Sequence, residues 1–543
     1  MEEEIDTSTL AKGTIWTFLG QLLLKLFSFF YLIVLAKFFS TEEVGIFYFV
    51  LSIVSVISIF TDLGLNQSLP RYIPYLYGRG RAPILGSFMK IIFIIGGFLS
   101  LFFSFLLFFL SSSIASALGR PEITPALQAL AFLPLISELA GLSGGFLVGR
   151  KMIKDYQIVS NFQGISKLLF TVGLGFLVAF NSVSLGYAYL LSFLPLVIGY
   201  SYFMLKDLNS LKQKTTAEKI EKGLVSEVFY FGLILSVINA FYILASSTDR
   251  FMLGLLGGEN AMATVGIYSV VTTFANLLLL PFGAILTIFF PMVSELFGKE
   301  KIEEIRKITV IAIKWSIIIS APFFILLAAF PGFLLRLFYG EEYVAGVNVF
   351  VIYLLSFAIF SLSLLPMKVI AAMRRLDIEL KIAATCAFLN IILNWLFIPI
   401  WGMDGAAFAT LLSFLLMTIL AFFYSQKLFG FVFPKESIKL IFISFFAFAM
   451  FSIMARYISL LISSLNIKEL TAIIVFDQTI AEKAVKLMIF GILFLFVCAV
   501  YLTFLVLTKS FGKEELKIMQ KALRRLKLPE KYSKKILNIL GGR

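Results

Sequence analysis

Apolar runs of roughly 20–30 residues, separated by short polar and charged stretches, recur along the whole chain. A helix of that length crosses the ~30 Å hydrocarbon core of a bilayer, whereas a membrane β-strand shows ~10 residues of alternating pattern. A first set of runs lies near residues 13–38, 43–65, 85–112, 125–148, 157–180 and 183–205. After a charged break, a second set lies near 226–248, 264–294, 307–332, 343–371, 378–400 and 404–426. Two more lie near 437–465 and 484–508. The pattern predicts an all-α polytopic membrane protein of about fourteen transmembrane helices.

Charge in the loops orients these helices. The six loops after even-numbered spans hold 18 Lys/Arg, against five in the seven loops on the other side. Basic loops stay in the cytoplasm, so both termini are expected there, in the cytoplasmic membrane. The last 35 residues carry eleven Lys/Arg. Leu516, Met519, Leu523 and Leu526 share one helical face, with Lys517, Lys521 and Arg524 off it, which predicts an interfacial amphipathic helix. The acidic start, MEEEID, followed by a long span, shows no cleaved signal peptide.

Short segments repeat at an offset of 221 residues. Val44-Gly45-Ile46-Phe47 matches Val265-Gly266-Ile267-Tyr268, Pro70 matches Pro291, and Leu190-Leu191-Ser192-Phe193 matches Leu411-Leu412-Ser413-Phe414. Three matches at one offset indicate a duplicated six-helix unit, a parallel repeat whose halves meet around a substrate site. The expected organisation is therefore 1–205 as an N-lobe, 206–225 as a cytoplasmic linker and 226–430 as a C-lobe. Helices 13 and 14 follow over 431–508, then a basic cytoplasmic tail over 509–543.

Polar residues inside the apolar runs mark candidate chemistry. Thr14, Thr17, Gln21, Lys25 and Ser28 fall on one face of the first helix. Lys25 lies ~18 Å from the cytoplasmic end of its span at 1.5 Å per residue, too deep to snorkel, so it points into protein or a hydrated cavity. The second run carries Ser52, Ser55, Ser58, Asp62 and Asn66. The seventh carries Gly232, Ser236, Asn239, Ser246, Asp249 and Arg250, and the eighth Ser269, Thr272, Asn276, Gly283 and Thr287. These four helices hold equivalent places in the two repeats, and their polar stripes can line one cavity. The bland alternative is that each Ser, Thr and Asn simply bonds a neighbouring helix. Glu138 and Lys167 reach the same depth on adjacent antiparallel helices, as a structural ion pair or a coupling group. Pro134, Gly141 and Gly145 around Glu138 mark a bendable helix. Lys90, Lys314 and Lys368 are expected to snorkel. Arg71, Arg79 and Arg81 are orientation signals that can also attract a phosphate headgroup.

Composition removes other classes of function. The 543 residues are 60% hydrophobic and 14% charged, with 62 Phe, so the +14 net charge belongs to membrane loops rather than to a nucleic-acid surface. No histidine is present, and Cys386 and Cys498 sit in separate runs, so neither a metal site nor a disulfide is expected. No P-loop sequence appears and no cofactor motif is evident.

Several motifs then resemble one family. Glu43-Val44-Gly45-Ile46-Phe47, Asp62-Leu63-Gly64-Leu65 and Pro70-Arg71-Tyr72-Ile73 carry the likeness in the first half. In the second half it is carried by Asp249-Arg250-Phe251-Met252-Leu253-Gly254, Val265-Gly266-Ile267-Tyr268, Pro281-Phe282-Gly283, Pro291 and Gly402-Met403-Asp404-Gly405-Ala406-Ala407. Over roughly residues 10–430 the chain resembles the multidrug/oligosaccharidyl-lipid/polysaccharide (MOP) exporter superfamily, and within it the Wzx-type flippases of polysaccharide biosynthesis. The resemblance implies two six-helix lobes in a V around a central cavity, plus two C-terminal helices. It also implies alternating-access translocation of an isoprenoid-diphosphate-linked oligosaccharide. Lys25 matches the cationic cavity expected for the diphosphate, and Arg250 is a second candidate.

The candidate substrate cavity thus comprises Thr17, Gln21, Lys25, Ser28, Ser55, Asp62, Asn239, Asp249, Arg250, Thr272 and Asn276. Asp62, Glu138 and Asp249 are candidates for coupling to H+ or Na+. The expected partners are a lipid-linked oligosaccharide and membrane lipid. An ion-coupled multidrug exporter of the same superfamily is the alternative. A membrane-embedded glycan polymerase is a third reading, which the short outside loops leave without a place for catalytic residues.

Overall fold

A computed structural model describes residues 7–78, 81–212, 222–431, 433–464, 478–508 and 510. The middle of the expected linker and the expected amphipathic tail helix lie outside the described residues. Every regular element among the described residues is helical. By contact the chain forms two compact units, one of residues up to Leu277 with Leu376–Leu416, the other of Leu278–Arg375 with the chain from Met417 onward.

The first unit begins with α1 (Thr7–Phe38), α2 (Thr41–Asp62), α3 (Leu65–Gly78), α4 (Leu85–Ala117), α5 (Thr124–Leu130) and α6 (Leu133–Gly149). It continues through α7 (Ile153–Leu177), α8 (Ser182–Leu191), α9 (Leu194–Lys212), α10 (Lys222–Leu256) and α11 (Ala261–Ala275). The second unit holds α12 (Leu280–Gly298), α13 (Ile302–Ala329), α14 (Pro331–Phe338) and α15 (Val347–Ala372). The long α16 (Leu376–Phe429) contributes to both units, and α17 (Lys435–Ser464) and α18 (Gln478–Leu507) complete the second.

Eleven helical stretches among the described residues are long and apolar enough to cross a membrane. One of them, α16, is 54 residues long and has non-helical backbone at Gly402 (φ 53°, ψ −129°), where two expected spans meet. A side chain at positive φ is strained, so glycine suits this break. With α16 read as two spans, and with α7 and α18 at 25 and 30 residues, the arrangement fits the fourteen-helix pattern. The second expected span ends at Asp62, and Leu63 and Gly64 turn the chain through left-handed backbone into α3.

The helices are inside-out relative to a water-soluble protein. Phe98, Phe109, Leu177 and Phe442 are at least 70% exposed, whereas Glu138, Asp249, Asn390 and Asn394 are at most 2% exposed. Apolar side chains outside and polar groups inside are what a lipid solvent demands.

The repeated Val-Gly-Ile-Phe/Tyr segments meet face to face. A Cβ at Gly45 would lie 1.6 Å from the Met262 carbonyl oxygen, and one at Gly266 would lie 1.9 Å from that of Thr41. Thr41 and Met262, like Gly45 and Gly266, are 221 residues apart. Each contact thus maps onto the other when the two copies are exchanged, as across a two-fold axis. The two repeated segments are thus paired in space, with α2 and α11 crossing at glycine-only distance.

Two basic loop residues also have local work. Arg306 donates from Nε (3.2 Å) and Nη2 (3.0 Å) to the Phe429 carbonyl, capping the end of α16. Arg150 pairs with Asp207 on α9 through Nε at 2.7 Å. The fourth expected span is interrupted next to its proline: α5 ends at Leu130 and α6 starts at Leu133, with Pro134 in the first turn, where proline fits, and α6 then runs to Gly149. Gly141 and Gly145 instead make room for Asn66 and Leu69 of α3.

Candidate functional site

The candidate polar residues of the first unit fall into three groups rather than one stripe-lined chamber. The first is centred on Lys25 of α1. Its ammonium donates to Asn276 Oδ1 at 2.6 Å. Asn276 is the C-cap of α11, where the helix tightens into a 3-10 turn over Asn276–Leu279. Lys25 is thus held at a helix C-terminus, whose partial negative charge favours a cation. An ammonium has three N–H donors, and no second acceptor for Lys25 is present among the described residues. Thr272 lies one turn before Asn276 and bonds the Ser269 carbonyl. Gln21, one turn before Lys25, is exposed, and Thr17 is half-buried.

The second group surrounds Asp249 of α10, which is 2% exposed. Its Oδ2 accepts from Tyr268 Oη at 2.5 Å and Thr410 Oγ1 at 2.6 Å. Its Oδ1 accepts from Asn394 Nδ2 at 2.8 Å and Asn390 Nδ2 at 3.3 Å. Four donors from α11 and from both sides of the Gly402 break therefore converge on one carboxylate. Charge-assisted bonds of this kind are the strong ones in a dry interior. Asn390, Asn394 and Thr410 escaped the sequence reading, although two asparagines four residues apart in an apolar run are the signal that could have found them. Arg250, next to Asp249, stacks on the Tyr48 ring at 5.3 Å.

The third group joins Asp62, Asn66 and Glu138 around a cavity that Asn239 of α10 also lines. Asn66 Nδ2 donates to Glu138 Oε2 at 3.1 Å, and its backbone N–H to Asp62 Oδ1 at 3.3 Å. The expected Glu138–Lys167 ion pair does not form: Lys167 lies 4.2 Å from the centre of the Tyr31 ring instead. Ser28 and Ser55 bond no neighbouring helix through these hydroxyls; each donates to the carbonyl four residues earlier on its own helix. Lys314 is only 5% exposed, so it does not snorkel as expected.

The fold is that of a polytopic all-α membrane protein, and its family matches place it among the transporters of the MOP superfamily. The chain belongs to the polysaccharide biosynthesis protein family, whose model matches residues 10–297, and residues 235–396 also match the MatE family. It is 25% identical over 433 residues to the uncharacterized membrane protein MJ1068 of Methanocaldococcus jannaschii, covering 77% of this chain and 84% of that protein. It is 33% identical over 171 residues to the probable flippase AglR of Haloferax volcanii, covering 31% of this chain and 36% of that one.

Among solved structures, the lipid II flippase MurJ in an inward closed conformation aligns with a TM-score of 0.64 at 13% identity, over 91% of this chain and 99% of that one. An inward-facing multidrug resistance MATE family transporter aligns at 0.61 and 14%, over 74% and 94%. A MOP superfamily transporter from Pyrococcus furiosus aligns at 0.56 and 15%, over 77% and 95%. At these identities the structural likeness speaks to the fold alone. The matched families are transporters and flippases, and nothing in them points to catalysis.

Proposed function

We propose that this flippase-like transporter moves an isoprenoid-diphosphate-linked oligosaccharide across the cytoplasmic membrane, with both of its termini in the cytoplasm. The observation that carries the reading is Lys25, an intramembrane ammonium anchored at one donor and placed at a helix end. A diphosphate leaving water needs charged donors, and two N–H groups of Lys25 remain to offer them. Thr17, Gln21, Thr272 and Asn276 supply further hydrogen-bonding groups along the same path, and Arg250 is a second cation for the headgroup. The isoprenoid tail stays in lipid. We assign the moving parts to the two sequence repeats, 1–205 and 226–430. The exchange of a coupling H+ or Na+ is placed on Asp249, whose four-donor network ties α10, α11 and α16.

Replacing Lys25 with Ala tests this reading. Export of lipid-linked glycan in cells should fall by at least about tenfold, with tolerance of cationic drugs unchanged. Undiminished glycan export with lost drug tolerance would identify an ion-coupled multidrug exporter instead.

A further inference from the structure

Glu138 differs from Asp249 in one respect that has a chemical consequence. Asp249 is surrounded by donors, whereas the surroundings of Glu138 are rich in acceptors. The carboxylate is 2% exposed; Oε2 takes the Asn66 amide, and Oε1 has no hydrogen-bond partner among the described residues. The Asn66 Oδ1 atom is likewise buried without a donor.

Both residues line a cavity of about 170 Å³ together with Asp62, Ser58, Thr61 and Ser137. The three hydroxyls cannot serve the free carboxylate oxygen as they stand. Ser58 donates to Val54, Thr61 to Ser58 and Ser137 to Pro134, each to a backbone carbonyl of its own helix. Their protons are therefore committed, and what these hydroxyls have left to offer is acceptor lone pairs.

Basic side chains on the elements around this cavity are committed elsewhere. Lys25 bonds Asn276, Lys167 lies on Tyr31, Arg71 on Phe231, and Arg150 pairs with Asp207. Lys90 of α4 is exposed. Of the acids, Glu227 of α10 takes the Tyr72 hydroxyl, leaving Asp62 to share the cavity with Glu138. Two carboxylates, amide oxygens and hydroxyl oxygens surround a small void without a protein cation, and they outnumber the donors of Asn66, Asn239 and Ser236 that also line it, so the ligand set is one of oxygens. Hard cations take such sets.

We propose that Asp62, Asn66 and Glu138 form a sodium-binding site on α2, α3 and α6, separate from the Asp249 network. The ion neutralises the facing carboxylates and occupies the acceptor atoms that no protein donor reaches. Because α2 also crosses α11 at Gly45, occupancy here acts on a helix that joins the two repeats. The proposal concerns ion binding and holds whatever cargo the transporter carries.

Equilibrium binding of radioactive sodium to the purified full-length protein, with potassium holding ionic strength constant, tests it. The wild type should bind sodium saturably, and Glu138→Gln should bind about one equivalent fewer. Glu138→Asp should keep that equivalent at weaker affinity. Asn66→Ala, which leaves both carboxylates in place, should weaken the same equivalent by about tenfold, and it covers the case in which Glu138→Gln does not fold. Equal sodium stoichiometry in the wild type and Glu138→Gln would overturn the proposal. So would a wild type that binds sodium no better than potassium, as expected if these carboxylates exchange only protons.

Discussion

Lys25 and Asp249 carry opposite charges inside the membrane, and the structure treats them in opposite ways. Lys25 has one hydrogen-bond partner among the described residues, whereas four donors converge on Asp249. Lys25→Arg should keep partial transport and Lys25→Ala should lose at least about tenfold, since a guanidinium retains the charge but alters the reach to a phosphate. Thr410→Val removes one donor from Asp249. It should destabilise the fold by about 1–3 kcal/mol, seen as a lower thermal midpoint in detergent, and an unchanged midpoint would contradict the network's structural weight. The depth of Lys25 was legible from sequence because the length of an apolar run sets depth directly. Partners were not. Lys25 and Asn276 are separated by 251 residues, and no local pattern specifies which azimuths face each other. The same limit explains Glu138 and Lys167, matched in depth yet turned to different neighbours.

At the level of elements, the helices follow from hydropathy and their breaks from glycine and proline. The turn at Gly402 was readable as the gap between two runs, and the pairing of α2 with α11 was half-readable as a repeated tetrapeptide. What the sequence did not display is why that tetrapeptide keeps glycine at its second position. The crossing answers it: any Cβ at Gly45 or Gly266 meets a carbonyl oxygen. Gly45→Val or Gly266→Val must push the helices apart, at a cost of about 1–3 kcal/mol or more. Each should lower the thermal midpoint, and by symmetry the two should behave alike; a neutral Gly45→Val would mean that the crossing is loose. The proline and glycines of the fourth span divide: the span is interrupted next to Pro134, whereas Gly141 and Gly145 serve close packing against α3.

For the whole molecule, the all-α polytopic fold was set by composition and run length, and the family match agrees with it. Orientation rests on the excess of basic residues in alternate loops. Some of those residues have further duties, since Arg150 forms an ion pair and Arg306 caps a helix, so the loop bias is partly structural. Single cysteines placed in a background lacking Cys386 and Cys498 give a direct check. A cysteine at Lys151 should react with a membrane-impermeant thiol reagent only after the membrane is opened, and one at Gly119 should react in intact cells. The reverse pattern would invert the molecule. The central claim, movement of an intact lipid-linked glycan, is tested most directly by purified protein in sealed vesicles. Lipid-linked oligosaccharide labelled on its sugar is placed in one leaflet, and its appearance in the other is followed with a lectin or glycosidase that cannot cross. The account predicts protein-dependent transfer, unchanged glycan length and loss of transfer in Lys25→Ala. Transfer no faster than in protein-free vesicles, from protein shown to be folded, would contradict it.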